Sequence, residues 1–254
     1  MDITIAWIGL MVGFLVGLTG VGGAALLTPI LILIGIQPTV AVGTDLFYNS
    51  ITKLFGTFQH WRQRTVQWGI VGYLALGSIP GAVIAVGLLK LFESFFHNQE
   101  NFIRTALGIM LVVVAVSILY RTFTRKKQES NRWQEKTLRE KRGVTVGIGL
   151  VLGFVVGLTS IGSGSLFAIA LLYLFKMKSS EVVGTDIAHA FFLVSVAGAL
   201  HAGLGNIDYG LAFNLLAGSV PGVLIGSTLG AKVPSKPLRA VMATLILLSG
   251  IKLI

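Results

Sequence analysis

Apolar residues run through this chain in long blocks, and the blocks are interrupted in a way that repeats. Residues 3–18 and 24–36 are almost wholly apolar and are separated by Thr19-Gly20-Val21-Gly22-Gly23. Each block is shorter than the roughly 20 residues a straight bilayer crossing needs. Three longer blocks follow, at 44–60, 68–90 and 102–120, and the same order returns at 143–158, 163–175, 184–203, 208–230 and 238–254. The pattern predicts, twice over, a broken helix pair followed by three membrane-spanning helices. The fold class expected is therefore an all-α polytopic membrane protein: a first membrane repeat over 1–120, a polar connector over 121–142 and a second membrane repeat over 143–254.

The repeat is visible residue by residue. Gly13, Phe14, Val16, Gly17, Leu18, Thr19 and Gly22 match Gly153, Phe154, Val156, Gly157, Leu158, Thr159 and Gly162, an offset of 140. Further on the offset becomes 141: Val42-Gly43-Thr44-Asp45 returns as Val183-Gly184-Thr185-Asp186, His60 as His201, and Gly77-Ser78-Ile79-Pro80-Gly81 as Gly218-Ser219-Val220-Pro221-Gly222. Whether each broken pair crosses as two thin spans or dips in as a re-entrant hairpin, each half makes an odd number of net crossings. The halves are expected to be inverted relative to one another.

A glycine-rich break at membrane depth is tolerated only where protein or a water-filled cavity surrounds it. The second half-helix begins there with free N–H groups and the positive end of its dipole, and glycines let a ligand approach that backbone. This is the make-up of an anion site, and paired interruptions in corresponding halves point to a transporter's binding site. The candidate binding residues are Thr19, Gly20, Gly22, Gly23 and Ala24 in the first break, and Thr159, Ser160, Gly162, Ser163, Gly164 and Ser165 in the second. Ser163 and Ser165 stand where the first copy has Gly23 and Ala25, adding hydroxyl donors suited to an oxyanion. Close helix packing by small residues is the competing explanation of the glycines.

Composition narrows the class. Of 254 residues, 54% are hydrophobic and 12% charged, with a mean hydropathy of +0.84, far from the quarter charged of an average soluble domain. There is no cysteine, so disulfides, thiolate catalysis and cysteine metal sites are excluded. The N-terminus lacks the basic region of a cleavable signal and reads as part of the first span. The net charge of +10 does not indicate nucleic acid, because sixteen of the twenty Lys and Arg fall in the connector and in the loops 61–67, 176–183 and 231–239. Alternation of the spans puts all four on one side. By the positive-inside rule that side is cytoplasmic, which leaves both termini outside and the basic connector near anionic lipid headgroups.

Lys53 is the most informative single residue. It lies about nine residues, or roughly 13 Å at 1.5 Å per residue, from either end of its span, too far to snorkel easily. An ionisable group there is a candidate for function, and its repeat equivalent is Val194, so any site using it is asymmetric. Asp45 and Asp186 follow Gly-Thr at the expected start of a span, where Thr and Asp would cap a helix. They are also candidates for coupling a proton or cation to transport, with His189 three residues after Asp186 on the same helix face. His60 and His201 are expected at span ends as ordinary interfacial imidazoles, and His97 in a loop without a visible partner. Pro80 and Pro221 fall near mid-span, each removing one helix hydrogen bond. No His spacing fits zinc, and neither a metal nor another cofactor is expected.

Together the two glycine-broken openings, the two V-G-T-D segments, the two G-S-x-P-G motifs and the basic central loop resemble the sulfite exporter TauE/SafE family, also called the toluene sulfonate uptake permease family. The resemblance covers nearly the whole chain. It implies a bacterial or archaeal inner-membrane permease with an inverted-repeat fold, carrying small anions such as sulfite, thiosulfate, sulfoacetate or other organosulfonates. The partners expected are the small anion and membrane lipid, not nucleic acid, with a homo-oligomer left open. A proton- or sodium-coupled cation or metabolite carrier using Asp45 and Asp186 is the alternative, and an anion channel on the same hairpins a further one. The sequence offers no H-E-x-x-H motif and no nucleophile elbow, and an enzyme is not expected.

Overall fold

The computed structural model describes residues 3–19, 24–95, 99–123, 132–230 and 235–254. Its elements are all helices: α1 (Ile3–Thr19), α2 (Ala24–Leu33), α3 (Pro38–Arg62), α4 (Trp68–Phe95), α5 (Gln99–Phe123), α6 (Arg132–Glu135), α7 (Leu138–Thr159), α8 (Leu166–Leu174), α9 (Ser179–Gly203), α10 (Tyr209–Gly230) and α11 (Ser235–Leu253). Among the described residues, five are long and apolar enough to cross a membrane, within α4, α5, α7, α9 and α10. The helical form follows from the solvent: lipid offers no partner for a backbone N–H or C=O, so each apolar block closes its own hydrogen bonds. The protein is an all-α polytopic membrane protein, and the two short helices α2 and α8 follow the interruptions anticipated at Gly20–Gly23 and Ser160–Ser165.

Three helices begin five or six residues before the apolar blocks do. Pro38 stands at the start of α3, where a missing N–H costs nothing. At the starts of α7 and α9, Glu140 Oε2 accepts the Thr137 backbone N–H at 2.7 Å and Glu181 Oε2 accepts that of Lys178 at 2.8 Å, the returning half of a capping box. These starts place Asp45 and Asp186 each eighth in its helix, so neither caps its own α3 or α9. The neighbouring threonines do cap, but across the repeat. Thr185 Oγ1 accepts the Gln67 N–H, just before α4, and Thr44 Oγ1 accepts the Asp208 N–H, just before α10, both at 3.0 Å.

That reciprocity runs through the packing. α1 lies along α10 and α4 along α7, α5 pairs with α11, and α3 crosses α9. In a two-fold arrangement, if position i of one copy touches position j of the other, j must touch i. Here a side chain on Gly77 would collide with the Val146 carbonyl and one on Gly218 with the Ala6 carbonyl; Gly153 meets Ser78 as Gly13 meets Ser219. The glycines flanking Pro80 and Pro221 thus set helix–helix distance, with backbone in direct contact. Each half donates its first helix to the fourth helix of the other.

The core runs from Leu27 and Leu31 of α2 through Leu46, Leu107 and Leu111 to Phe167, Leu171 and Leu193, all fully buried. The short α6 lies within the connector, where Gln134 Nε2 donates to the Leu172 carbonyl at 2.9 Å and anchors it to the end of α8. Residues 124–131 of the connector and His97 lie outside the described residues.

Candidate functional site

The second break is built around two residues in the left-handed region. α7 is capped by Ser160 at φ 60°, its N–H bonded to the Val156 carbonyl at 2.7 Å, and Gly162 lies just beyond at φ 102°. Thr159 Oγ1 accepts the Ile161 N–H at 3.2 Å, so part of the opened backbone is satisfied locally. A left-handed serine costs roughly 1–2 kcal/mol relative to the ordinary helical form. Its hydroxyl gains a buried partner in return: Ser160 Oγ donates to Asp45 Oδ2 at 2.7 Å.

Asp45 is where the two halves join. Thr28 Oγ1, in the second turn of α2, donates to the same Oδ2 at 2.7 Å, and Asn49 Nδ2, one turn further along α3, donates to Oδ1 at 2.8 Å. Two hydroxyls sharing one oxygen are at most twice 2.7 Å apart, so the first half's α2 and the second half's break converge on one carboxylate. All four residues are buried. Three donors are what an ionised carboxylate in a low-dielectric interior requires. The repeat does not reproduce this: the equivalents of Ser160, Thr28 and Asn49 around Asp186 are Gly20, Ala168 or Ile169 by either offset, and Ala190, none with a side-chain donor.

Lys53 lies eight residues beyond Asp45 on α3, about 12 Å along the axis. It is half-buried, and its Nζ donates to the Ser163 carbonyl at 3.3 Å, which puts an ammonium at the second break. Both Asp186 and Asp45 act on it electrostatically. Since an ammonium has three protons, the long bond to Ser163 leaves donor capacity at the place where α8 begins. Ser163 is itself buried, and Ser165 precedes the first turn of α8.

The third component lies on α9. Asp186 and His189 are one turn apart and buried, and His189 Nε2 is 2.8 Å from Ser78 Oγ of α4. The imidazole leans on Phe167, at the start of α8, with ring centroids 4.3 Å apart. The structure thus brings Lys53, Asp45, Asp186, His189, Ser160 and Ser163 into one buried region where α3, α9 and the second break meet. Of the first break, Thr19 closes α1 and Ala24 opens α2, while Gly20, Gly22 and Gly23 lie outside the described residues. Gly164 belongs to the turn between α7 and α8.

Sequence reasoning missed Thr28, Asn49 and Ser78. Asn49 could have been found as the i+4 neighbour of Asp45, and Ser78 as the polar member of a repeated motif; nothing near Thr28 marks it. His201, expected at an interface, is instead fully buried, with Nε2 3.1 Å from the Gly157 carbonyl. It lies at the end of α9 but against the backbone of α7, which removes it from the bilayer surface. Among the described residues there is no group of three or more His, Cys, Asp or Glu able to hold a metal ion.

Comparison with known proteins agrees with this architecture. The family model described as "Sulfite exporter TauE/SafE" matches residues 5–253. The chain is 60% identical over 254 residues to Bacillus subtilis "Probable membrane transporter protein YjnA", covering 100% of both chains. It is 27% identical to YunE of the same organism, covering 97% of this chain and 95% of that one, and 26% identical to MJ0441 of Methanocaldococcus jannaschii, covering 96% and 92%. Both carry the same description, and no solved structure matches. A match over almost the entire length, together with helices long and apolar enough to cross a membrane in both halves, shows that this chain is a membrane transporter of the sulfite exporter TauE/SafE family.

Proposed function

We propose that the protein is a secondary transporter that moves small sulfur-containing oxyanions, such as sulfite, thiosulfate or organosulfonates, across the cytoplasmic membrane by alternating access. The observation that carries this reading is the bridge on Asp45, which joins the α2 of one half to the break of the other within reach of the Lys53 ammonium. The starts of α2 and α8 supply N–H groups and dipole ends. Each end contributes about 0.3–1 kcal/mol when exposed and up to about 2 when partly buried. Two ends and one lysine favour an anion while still letting it leave. The two halves are inverted in the membrane about this site, with both termini outside and the connector cytoplasmic, and their relative movement exposes the site to each side in turn.

The carrier chemistry is the protein's own, with no bond of the substrate made or broken. Reading Asp45 as the ligand of a transported cation fits less well, because three protein donors already occupy its carboxylate.

The test is flux in proteoliposomes. Saturable uptake of labelled thiosulfate, competed by sulfite and accelerated by thiosulfate on the far side, is the expected result. Insensitivity to both oxyanions with competition by cations would overturn the assignment, and non-saturable flux without counter-transport would replace the carrier with a channel.

A further inference from the structure

His189 has two ring nitrogens in different circumstances. Nε2 faces Ser78 Oγ at 2.8 Å, whereas Nδ1 is buried without a hydrogen-bond partner among the described residues. The side chain is fully buried, and buried polar atoms in native proteins nearly always find a partner. That orphan nitrogen belongs to a ring that rests on Phe167 at the start of α8, within the electrostatic reach of Lys53.

Which kind of atom depends on the tautomer, and hydrogen-bond accounting selects one. Among the described residues, the hydroxyl of Ser78 bonds only His189 Nε2. If the hydroxyl donates to Nε2, the ring proton sits on Nδ1 and one group is left unsatisfied. If Nε2–H donates instead, both the serine proton and the bare Nδ1 are left unsatisfied. The first arrangement is the better satisfied. The repeat equivalents differ: Ser219 sends its own proton to the Leu216 carbonyl at 3.4 Å, and the counterpart of His189 is Tyr48.

Building on the anion-carrier reading above, we infer that His189 Nδ1–H is a substrate-contacting donor, held in that tautomer by Ser78, and that it selects ligands presenting a deprotonated oxyanion oxygen. Lys53 supplies charge at the second break, and His189 supplies a directed neutral hydrogen bond one helix away. Its counterpart in the first half is Tyr48, so the two sides of the site read the anion differently.

Two replacements separate the nitrogens. In the full-length protein in detergent, His189→Asn sets an amide near the position of Nδ1 and His189→Gln one near that of Nε2. With sodium thiosulfate as the probe, His189→Asn should keep affinity within a few-fold and His189→Gln should lose roughly tenfold, the worth of one hydrogen bond to a charged acceptor. The tautomer is read separately by nitrogen-15 NMR of labelled histidine: Nδ1 protonated in the parent protein, and the two tautomers mixed in Ser78→Ala. Equal losses in the two His189 variants, an Nε2-protonated ring in the parent, or a tautomer unchanged in Ser78→Ala would overturn the inference. A parent protein that binds neither thiosulfate nor sulfite would overturn the anion reading itself, and this inference with it.

Discussion

Replacing Lys53 with methionine is expected to lower the apparent affinity for thiosulfate by at least tenfold while leaving a folded, monodisperse protein. Methionine keeps the apolar stem of the side chain and removes only the ammonium. That ammonium reaches the break before α8 through its bond to the Ser163 carbonyl. Hydrogen bonds to charged partners are worth about 1.5–3 kcal/mol, or roughly 10- to 150-fold in a binding constant. Lys53→Arg should recover part of the loss, since the charge is kept and only its shape changes. The repeat equivalent Val194 gives the control: Val194→Met adds volume without removing charge. Affinity and rate unchanged in Lys53→Met would remove the lysine from the site.

The second large effect is on stability. Asp45→Ala strips the acceptor from Thr28, Ser160 and Asn49 together, all of them buried. Each buried donor left unsatisfied costs about 1–3 kcal/mol. The two hydroxyls can turn back on their own backbone, so the full threefold sum is not expected. A loss of several kcal/mol is still comparable with the stability of a whole domain. Asp45→Asn retains an oxygen for two donors and turns a hydrogen toward the third, so it should fall between. Thermal unfolding in detergent should rank parent above Asp45→Asn above Asp45→Ala. If Asp45→Ala unfolds at the parent's temperature, the carboxylate does not join the halves.

Much of this fold is legible in the chain because lipid makes hydropathy so informative. The interruption at Ser160–Ser165 precedes the short helix α8 as expected, α2 begins at Ala24 as the first apolar run after Gly20–Gly23 implied, and the two halves follow the same order of elements. Less legible were the starts of α3, α7 and α9, whose first residues are polar enough to read as loop. Pro38, Glu140 and Glu181 were the available signals, and each acts on a single backbone group, which a window of mean hydropathy averages away. Least legible was the exchange of α1 and α7 between halves. A repeat reveals which residues are equivalent but not which copy each one touches. For that reason Thr44 and Thr185, expected to cap their own helices, proved to cap α10 and α4 of the opposite halves.

The site shows the same division. Lys53 stood out because a charge in mid-span is costly to bury. Asp45 stood out by repetition, but its three donors come from α2, α3 and the second break, the last 115 residues away from it. Asymmetry was visible in part, in Lys53 opposite Val194. Its fuller extent, with Asp45 bound by donors that Asp186 does not have at the equivalent positions, required the tertiary contacts to identify which residues to compare.

The most direct test of the account is the location of the bound anion. Crystals of the full-length protein soaked in selenite, a heavier analogue of sulfite, would locate it by anomalous scattering at the selenium edge. The account predicts one peak between the starts of α2 and α8, within hydrogen-bond distance of Lys53 Nζ. A peak at either membrane face, away from both breaks and from Lys53, would contradict it.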